Sequence, residues 1–387
     1  VGAGPISETR IEVQMDGIAA REGMEIVIYG IEMVWVNAGG FWLGDGASNN
    51  TFARGDSALP YYVGSAESIA VGTGADQLNG SGAYAPTADI PATWPNGFDG
   101  FYCMKYELSQ AQYADFLNAL TFEQQAARTS VAPDEASGTV ALQPTSPNRN
   151  GIRILTPGVA QQGWPAAYAH NLDGTGDFND GASGETRACN WLDWDDMCAY
   201  LDWAALRPMT EMEYEKAARG PDSLNLAWTY AWGTDEVVDA NTLMLDGTSR
   251  EVAVDKLTEN TGLASHGYDG PQGPLRCGFA ADAGTNRVSA GAGYFGAMEL
   301  SGNLWELCVT VNAAGLAFTG ALGDGELSAD GEANASDWPG SEGAGFRGGA
   351  WNSGIQPTFR DLAVSDRFYA GLPPVIRRNT AGGRGVR

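Results

Sequence analysis

The sequence predicts an irregular α+β fold of small antiparallel sheets, two main helices and long loops, and three observations carry that prediction. The 53 glycines in 387 residues far exceed average usage and favour many turns over long helices. Short runs of alternating apolar residues, such as Arg10 to Met15 and Met24 to Tyr29, have the period of half-buried strands. The stretch from Asn190 to Gly220 carries complete helix punctuation.

In that stretch Trp194, Met197, Cys198 and Leu201 fall at i, i+3, i+4 and i+7, one apolar face of a first helix. Pro208 marks a turn, because proline is excluded from a helix interior. Thr210 is the N-cap of a second helix, and Glu213 completes a capping box with it. Lys216 and Arg219 sit in the last turn, where the helix dipole favours cations, and Gly220 suits the left-handed position beyond it. Earlier in the chain, a strand reading FYCMKYEL leads into a helix capped by Ser109. Tyr113, Phe116, Leu117 and Leu120 form its buried stripe.

The two N-terminal runs read as a hairpin turned at Asp16-Gly17, an accessory arm within residues 1–31 that precedes a main domain over 32–387. Residues 47–96 are rich in Gly, Ser, Ala and Pro and read as a long surface loop, and residues 129–188 read as loop again. Tyr61, Tyr62, Trp94, Trp164, Tyr168 and Trp338 lie in loop-like sequence and would supply rigid contact area for a partner.

Net charge is −26, with three lysines, which repels nucleic acid and anionic membranes. No apolar run approaches the roughly 18 residues of a membrane-spanning helix. The chain begins at Val1 rather than an initiator Met, which implies a removed leader and an exported protein of the exterior or cell surface. Five cysteines are too few and too irregular for a disulfide scaffold, and none forms a CxxC pair. Cys198 belongs to the apolar helix face.

Asp173 and Asp177, with Asn179 and Asp180, place hard oxygen donors at the close spacing that calcium requires. No register there has glycine at position 6 and glutamate at position 12 of a calcium-binding EF loop, so a solvated Asp/Gly turn competes with a calcium loop.

Several blocks occur in an order that resembles the formylglycine-generating-enzyme, or sulfatase-modifying-factor, family, a branch of the C-type-lectin-like folds. They are MVWVNAGGFWLGDG from Met33, LRPMTEMEYEKAARG from Leu206, YAWGTDEVVDANTLM from Tyr230, YFGAMELSGNLWELCVTV from Tyr294 and GFRGGAWNSG from Gly345. The resemblance runs from Met33 to Arg387. It implies a structural calcium ligated by Asn241 and neighbouring carbonyls. Gly302, Asn303, Trp305 and Glu306 match the family's Gly-Asn-x-Trp-Glu-Trp signature, with Leu307 in place of the last Trp. Asn303 and Glu306 are oxygen donors three residues apart, a second candidate calcium pair. The closing blocks bring Arg347, Arg360, Arg367 and Arg384 to the end of the fold, where they would pair with carboxylates.

Enzymes of that family use two C-terminal cysteines that bind copper. Here no cysteine follows Cys308, and Ser353 and Thr358 fall at the two positions. Without a thiolate, neither copper capture nor thiol exchange is available. The two histidines, His170 and His266, are too few and too far apart for an iron site or an evident Ser-His-Asp triad. The expected function is therefore a non-catalytic exported module that binds a protein or glycan, or self-associates into a surface polymer or fibre. A divergent oxidase of the family or a carboxylate-based hydrolase is the alternative. Calcium is the only expected cofactor.

Overall fold

Strands of two to five residues dominate because glycine-bearing turns interrupt each apolar run before it can lengthen. The computed structural model describes residues 27–222, 227–354 and 361–387. The first half holds β1 (Met33–Val36), β2 (Phe41–Leu43), β3 (Phe52–Arg54), β4 (Tyr61–Val63), β5 (Leu78–Gly80) and β6 (Phe101–Met104). Helices α1 (Gln110–Asn118) and α2 (Phe122–Arg128) follow, then β7 (Ile152–Thr156) and β8 (Ala167–His170). The centre is α3 (Trp194–Trp203), β9 (Arg207–Pro208) and α4 (Glu211–Arg219). The second half adds β10 (Glu236–Asp239), β11 (Leu243–Met244), β12 (Val252–Ala253) and β13 (Thr261–Ala264). It closes with β14 (Trp305–Val309), β15 (Ala344–Arg347), β16 (Ala381–Gly382) and β17 (Gly385–Val386).

A four-stranded antiparallel sheet in the order β1-β6-β17-β9 joins the beginning of the described chain to its end. Val34 pairs with Cys103, and Val386 pairs with both Cys103 and Arg207. In a second sheet β14 lies between β15, antiparallel, and β16, parallel. The remaining sheets of the described residues are two-stranded. The fold is α+β, and its main core gathers Phe41, Trp94, Phe116, Trp194, Leu201 and Val309 from elements throughout the sequence.

The capping signals act as the sequence predicts. Thr210 Oγ1 accepts the Glu213 N–H at 3.1 Å while Glu213 Oε2 accepts the Thr210 N–H at 3.0 Å. Ser109 with Gln112 forms the same box at α1. Gly220 ends α4 with φ of 69°, and a Cβ there would collide with the Tyr294 ring. Trp194, Met197, Cys198 and Leu201 are all buried.

The structure corrects four expectations. Residues 47–96 are not a surface loop. They carry β3, β4 and β5 and bury Phe52, Leu78, Ile90 and Trp94, because single apolar residues spaced among small ones are enough to anchor short strands. Trp94 and Tyr168 are core residues rather than displayed contacts, whereas Tyr62 and Trp164 are exposed. Residues 129–188 contain the antiparallel pair β7 and β8, whose five-residue strand was too short to stand out among glycines. A further helix, α2, follows α1 after Thr121, which forms its own capping box with Gln124, so the stripe residue Leu120 lies just beyond α1. The hairpin of the N-terminal arm lies outside the described residues except for 27–29, which have no strand. Among the described residues no helix is long and apolar enough to cross a membrane.

Candidate functional site

Helix α4 is buried along its whole length, charged residues included, so each of those charges needs a partner. Glu211 accepts from Arg367 at 2.7 Å and from Arg347 at 2.9 Å. Glu215 accepts from Arg347 at 2.7 Å, and Glu213 from Arg207 at 2.6 Å. Burial alone would raise the Glu211 carboxyl, but Arg367 and Arg347 bring it below the ordinary range. Three of the four C-terminal arginines thus meet carboxylates: Arg347, Arg367, and Arg384 with Glu306. Arg360 lies outside the described residues. This network fixes β15 and the C-terminal segments against α4.

The five predicted calcium ligands lie on three separate segments. Asp173 and Asp177 are exposed in their own loop, where Asp173 Oδ1 caps Thr175 instead. Asn241 is exposed after β10. Asn303 and Glu306 are buried; Asn303 is engaged at both amide atoms, and Glu306 is engaged at Oε1 while its Oε2 has no partner. Asn303 Oδ1 accepts the Leu275 N–H at 2.8 Å, and its amide donates to Glu107 at 2.5 Å. Glu306 Oε1 accepts Arg384 Nε at 2.6 Å, which sets a guanidinium where a cation bound by that carboxylate would be repelled. Among the described residues no group of three or more His, Cys, Asp or Glu side chains could hold a metal. What the Gly-Asn-x-Trp-Glu signature builds is a strand start. Gly302, at φ of 91°, passes so close to Ser265 O that a Cβ would clash, and Asn303 follows at φ of 65°.

The same strand start opens a cleft of about 470 Å³. Trp305, first residue of β14, stands edge-on to Tyr369 at 5.3 Å and to Phe346 of β15 at 6.1 Å. Tyr268, 68% exposed, forms an outer lip. Asn352, Ser353, Asp361, Arg378 and Thr380 place polar groups among these rings. The backbone holds them in place. Trp305 N–H donates to Thr380 O at 2.8 Å, Gly267 N–H to Ser353 O at 2.8 Å, and Trp191 N–H to Arg378 O at 2.8 Å. Buried Trp351 donates its indole N–H to Asn379 O at 2.9 Å beneath the floor. Burial pushes the Asp361 carboxyl up, partly offset by a hydrogen bond with Ser353. The cleft's volume lies within the range of small-molecule sites, and its lining is divided about evenly between rings and polar side chains.

The sulfatase-modifying factor enzyme 1-like domain matches residues 31–387 of this chain. The chain belongs to that family. Solved structures that the comparison matches include PvdO from Pseudomonas aeruginosa, with 14% identity, coverage of 92% of this chain and 93% of that one, and a TM-score of 0.39. Treponema denticola variable protein 1 has 13% identity, coverage of 92% and 94%, and a TM-score of 0.37. The Major Tropism Determinant U1 variant has 15% identity, coverage of 90% and 72%, and a TM-score of 0.27. A search of curated protein sequences finds no match.

Within this family-type fold Ser353 is buried in the cleft, with its hydroxyl accepting the Ala350 N–H at 3.0 Å, while Thr358 lies outside the described residues. All five thiols are free. Burial pushes Cys103 up to about 12 and the other four well above the ordinary range, so none is a ready thiolate. Sequence reasoning missed Tyr268, Phe346, Asp361, Tyr369 and Arg378 as cleft residues. They come from four separate segments, and no local spacing connects them.

Proposed function

We propose that this family member is an exported, non-catalytic binding module that recognises a glycan in the cleft beside Trp305. The observation that carries the reading is the composition of that cleft: rings of Tyr268, Trp305, Phe346 and Tyr369 around an amide, two hydroxyls and a carboxylate. Sugars present apolar C–H faces and hydroxyl edges, and such a lining offers a partner to each. The absence of a cysteine after Cys308 and the raised thiols support a role without thiol chemistry. The −26 charge favours solubility and argues against nucleic-acid partners.

The test is a glycan array followed by saturation-transfer NMR with the strongest hits. Tyr369→Ala, at a half-buried ring on the cleft wall, is expected to weaken binding about tenfold or more, the loss of roughly 1.4 kcal/mol or more of contact. The variant should still melt cooperatively, at a somewhat lower temperature because the ring packs on Trp305, and the sugar should be recovered intact. Failure of every glycan to bind overturns the reading, and cleavage of the bound sugar would place the protein among carboxylate-based hydrolases instead.

A further inference from the structure

Among the described inward-facing arginines, Arg378 is set apart by a guanidinium with neither an ion pair nor a hydrogen bond, whereas Arg153, Arg276 and Arg287, which also lack a carboxylate, donate to backbone carbonyls. Arg187, Arg347, Arg367, Arg377 and Arg384 each meet a carboxylate within 2.9 Å. Arg378 adjoins Arg377, which pairs with Asp196 at 2.6 Å, yet it forms no ion pair with any described residue. Its Nε is buried without a hydrogen-bond partner, and its guanidinium lies 5.9 Å from the Phe346 ring centre, on the cleft lining. Residues 355–360, which precede Asp361 and lie outside the described set, contain no acidic residue that could answer it. In a chain with 48 acidic and 22 basic residues, a half-buried guanidinium with neither a carboxylate nor a carbonyl partner among the described residues stands against the general supply of partners.

We infer that Arg378 is the anion-binding group of the cleft, and that the preferred ligand is an acidic sugar whose carboxylate docks on this guanidinium while its ring lies against Trp305 and Tyr369. The inference rests on the glycan reading and adds the ligand's charge to it. A planar guanidinium donates two parallel N–H bonds to a carboxylate, and the low-dielectric rings around it strengthen that pair. Asp361 shares the cleft without forming an ion pair with Arg378 and hydrogen-bonds with Ser353. Its oxygens leave an acceptor for sugar hydroxyls.

The experiment compares methyl glucuronide with methyl glucoside, which differ by the carboxylate, by saturation-transfer NMR and titration on the whole chain. The wild type is expected to bind the glucuronide about tenfold more tightly, with the preference shrinking as salt is raised. Arg378→Gln should bind both sugars at the glucoside's level and melt at the wild-type temperature, whereas Arg378→Lys should keep part of the preference. Equal binding of the two sugars by the wild type, or an undiminished preference in Arg378→Gln, overturns the anion assignment while leaving the glycan reading standing. Binding of no acidic glycan on the array while a neutral one binds overturns the anion assignment alone, and binding of no glycan at all overturns both.

Discussion

The buried cluster of Glu107, Glu299, Glu306 and Arg384 holds three carboxylates against one guanidinium, and Oε2 of both Glu299 and Glu306 lacks a hydrogen-bond partner. Protons are the simplest remedy. Burial raises all three carboxyls, repulsion from the neighbouring glutamates adds to it at Glu107 and Glu299, and Glu299 is pushed up to about 7. Asp366 is pushed up to about 7 by burial as well. An acid whose folded value exceeds its unfolded one binds more protons when folded, so stability is full below the unfolded value and declines as pH rises through the folded one. For Glu299 that window runs from 4.5 to about 7. Urea denaturation is therefore expected to give higher stability at pH 5 than at pH 8. Glu299→Gln keeps the acceptor for the Gly278 N–H and should flatten the slope, recovering about 1–3 kcal/mol at pH 8. A slope unchanged by the substitution would mean that Glu299 is ionised throughout and that the dependence comes from other groups.

At the scale of elements, α4 separates what sequence can announce from what it cannot. Its boundaries were legible because Thr210, Glu213, Pro208 and Gly220 act on their immediate neighbours. Its setting was not, because the arginines that let Glu211, Glu213 and Glu215 be buried come from β9 and from 130 or more residues away. The strands of 47–96 and the β7–β8 pair were hidden for a related reason: each is stabilised by distant core residues rather than by a strong local period. The two levels differ in energy. Thr210→Ala removes a cap and is expected to cost about 1 kcal/mol. Glu211→Gln leaves Arg347 and Arg367 short of a buried negative charge and is expected to cost about 3–5 kcal/mol. Chemical denaturation of both variants checks the ranking, and a Glu211→Gln loss no larger than the Thr210→Ala loss would show that the network is not a principal support of the helix.

At the scale of the whole molecule, the fold is closed by its far end. The ordered blocks from Met33 to Arg387 made the family-type fold legible, but the cleft was hidden because it is assembled from a strand start, a loop after β13 and two C-terminal segments. The same C-terminal stretch that supplies Arg378 and Thr380 continues into β16 and β17. β17 sits inside the four-stranded sheet, between β6 and β9, and Arg384 is fully buried with donors to Glu306, Lys105 O and Met298 O. Removing residues 384–387 would strip hydrogen bonds from β6 and β9 and leave Glu306 buried without its cation. The truncated chain is expected to lose cooperative unfolding and to become sensitive to limited proteolysis across β6 and β9, far from the cut in sequence. Arg384→Met tests the ionic part alone. It should destabilise by less than the truncation, because it keeps β17 paired. A truncated chain that melts cooperatively at the wild-type temperature would mean that the sheet closes without its last strand, and that the cleft does not depend on that closure for its shape.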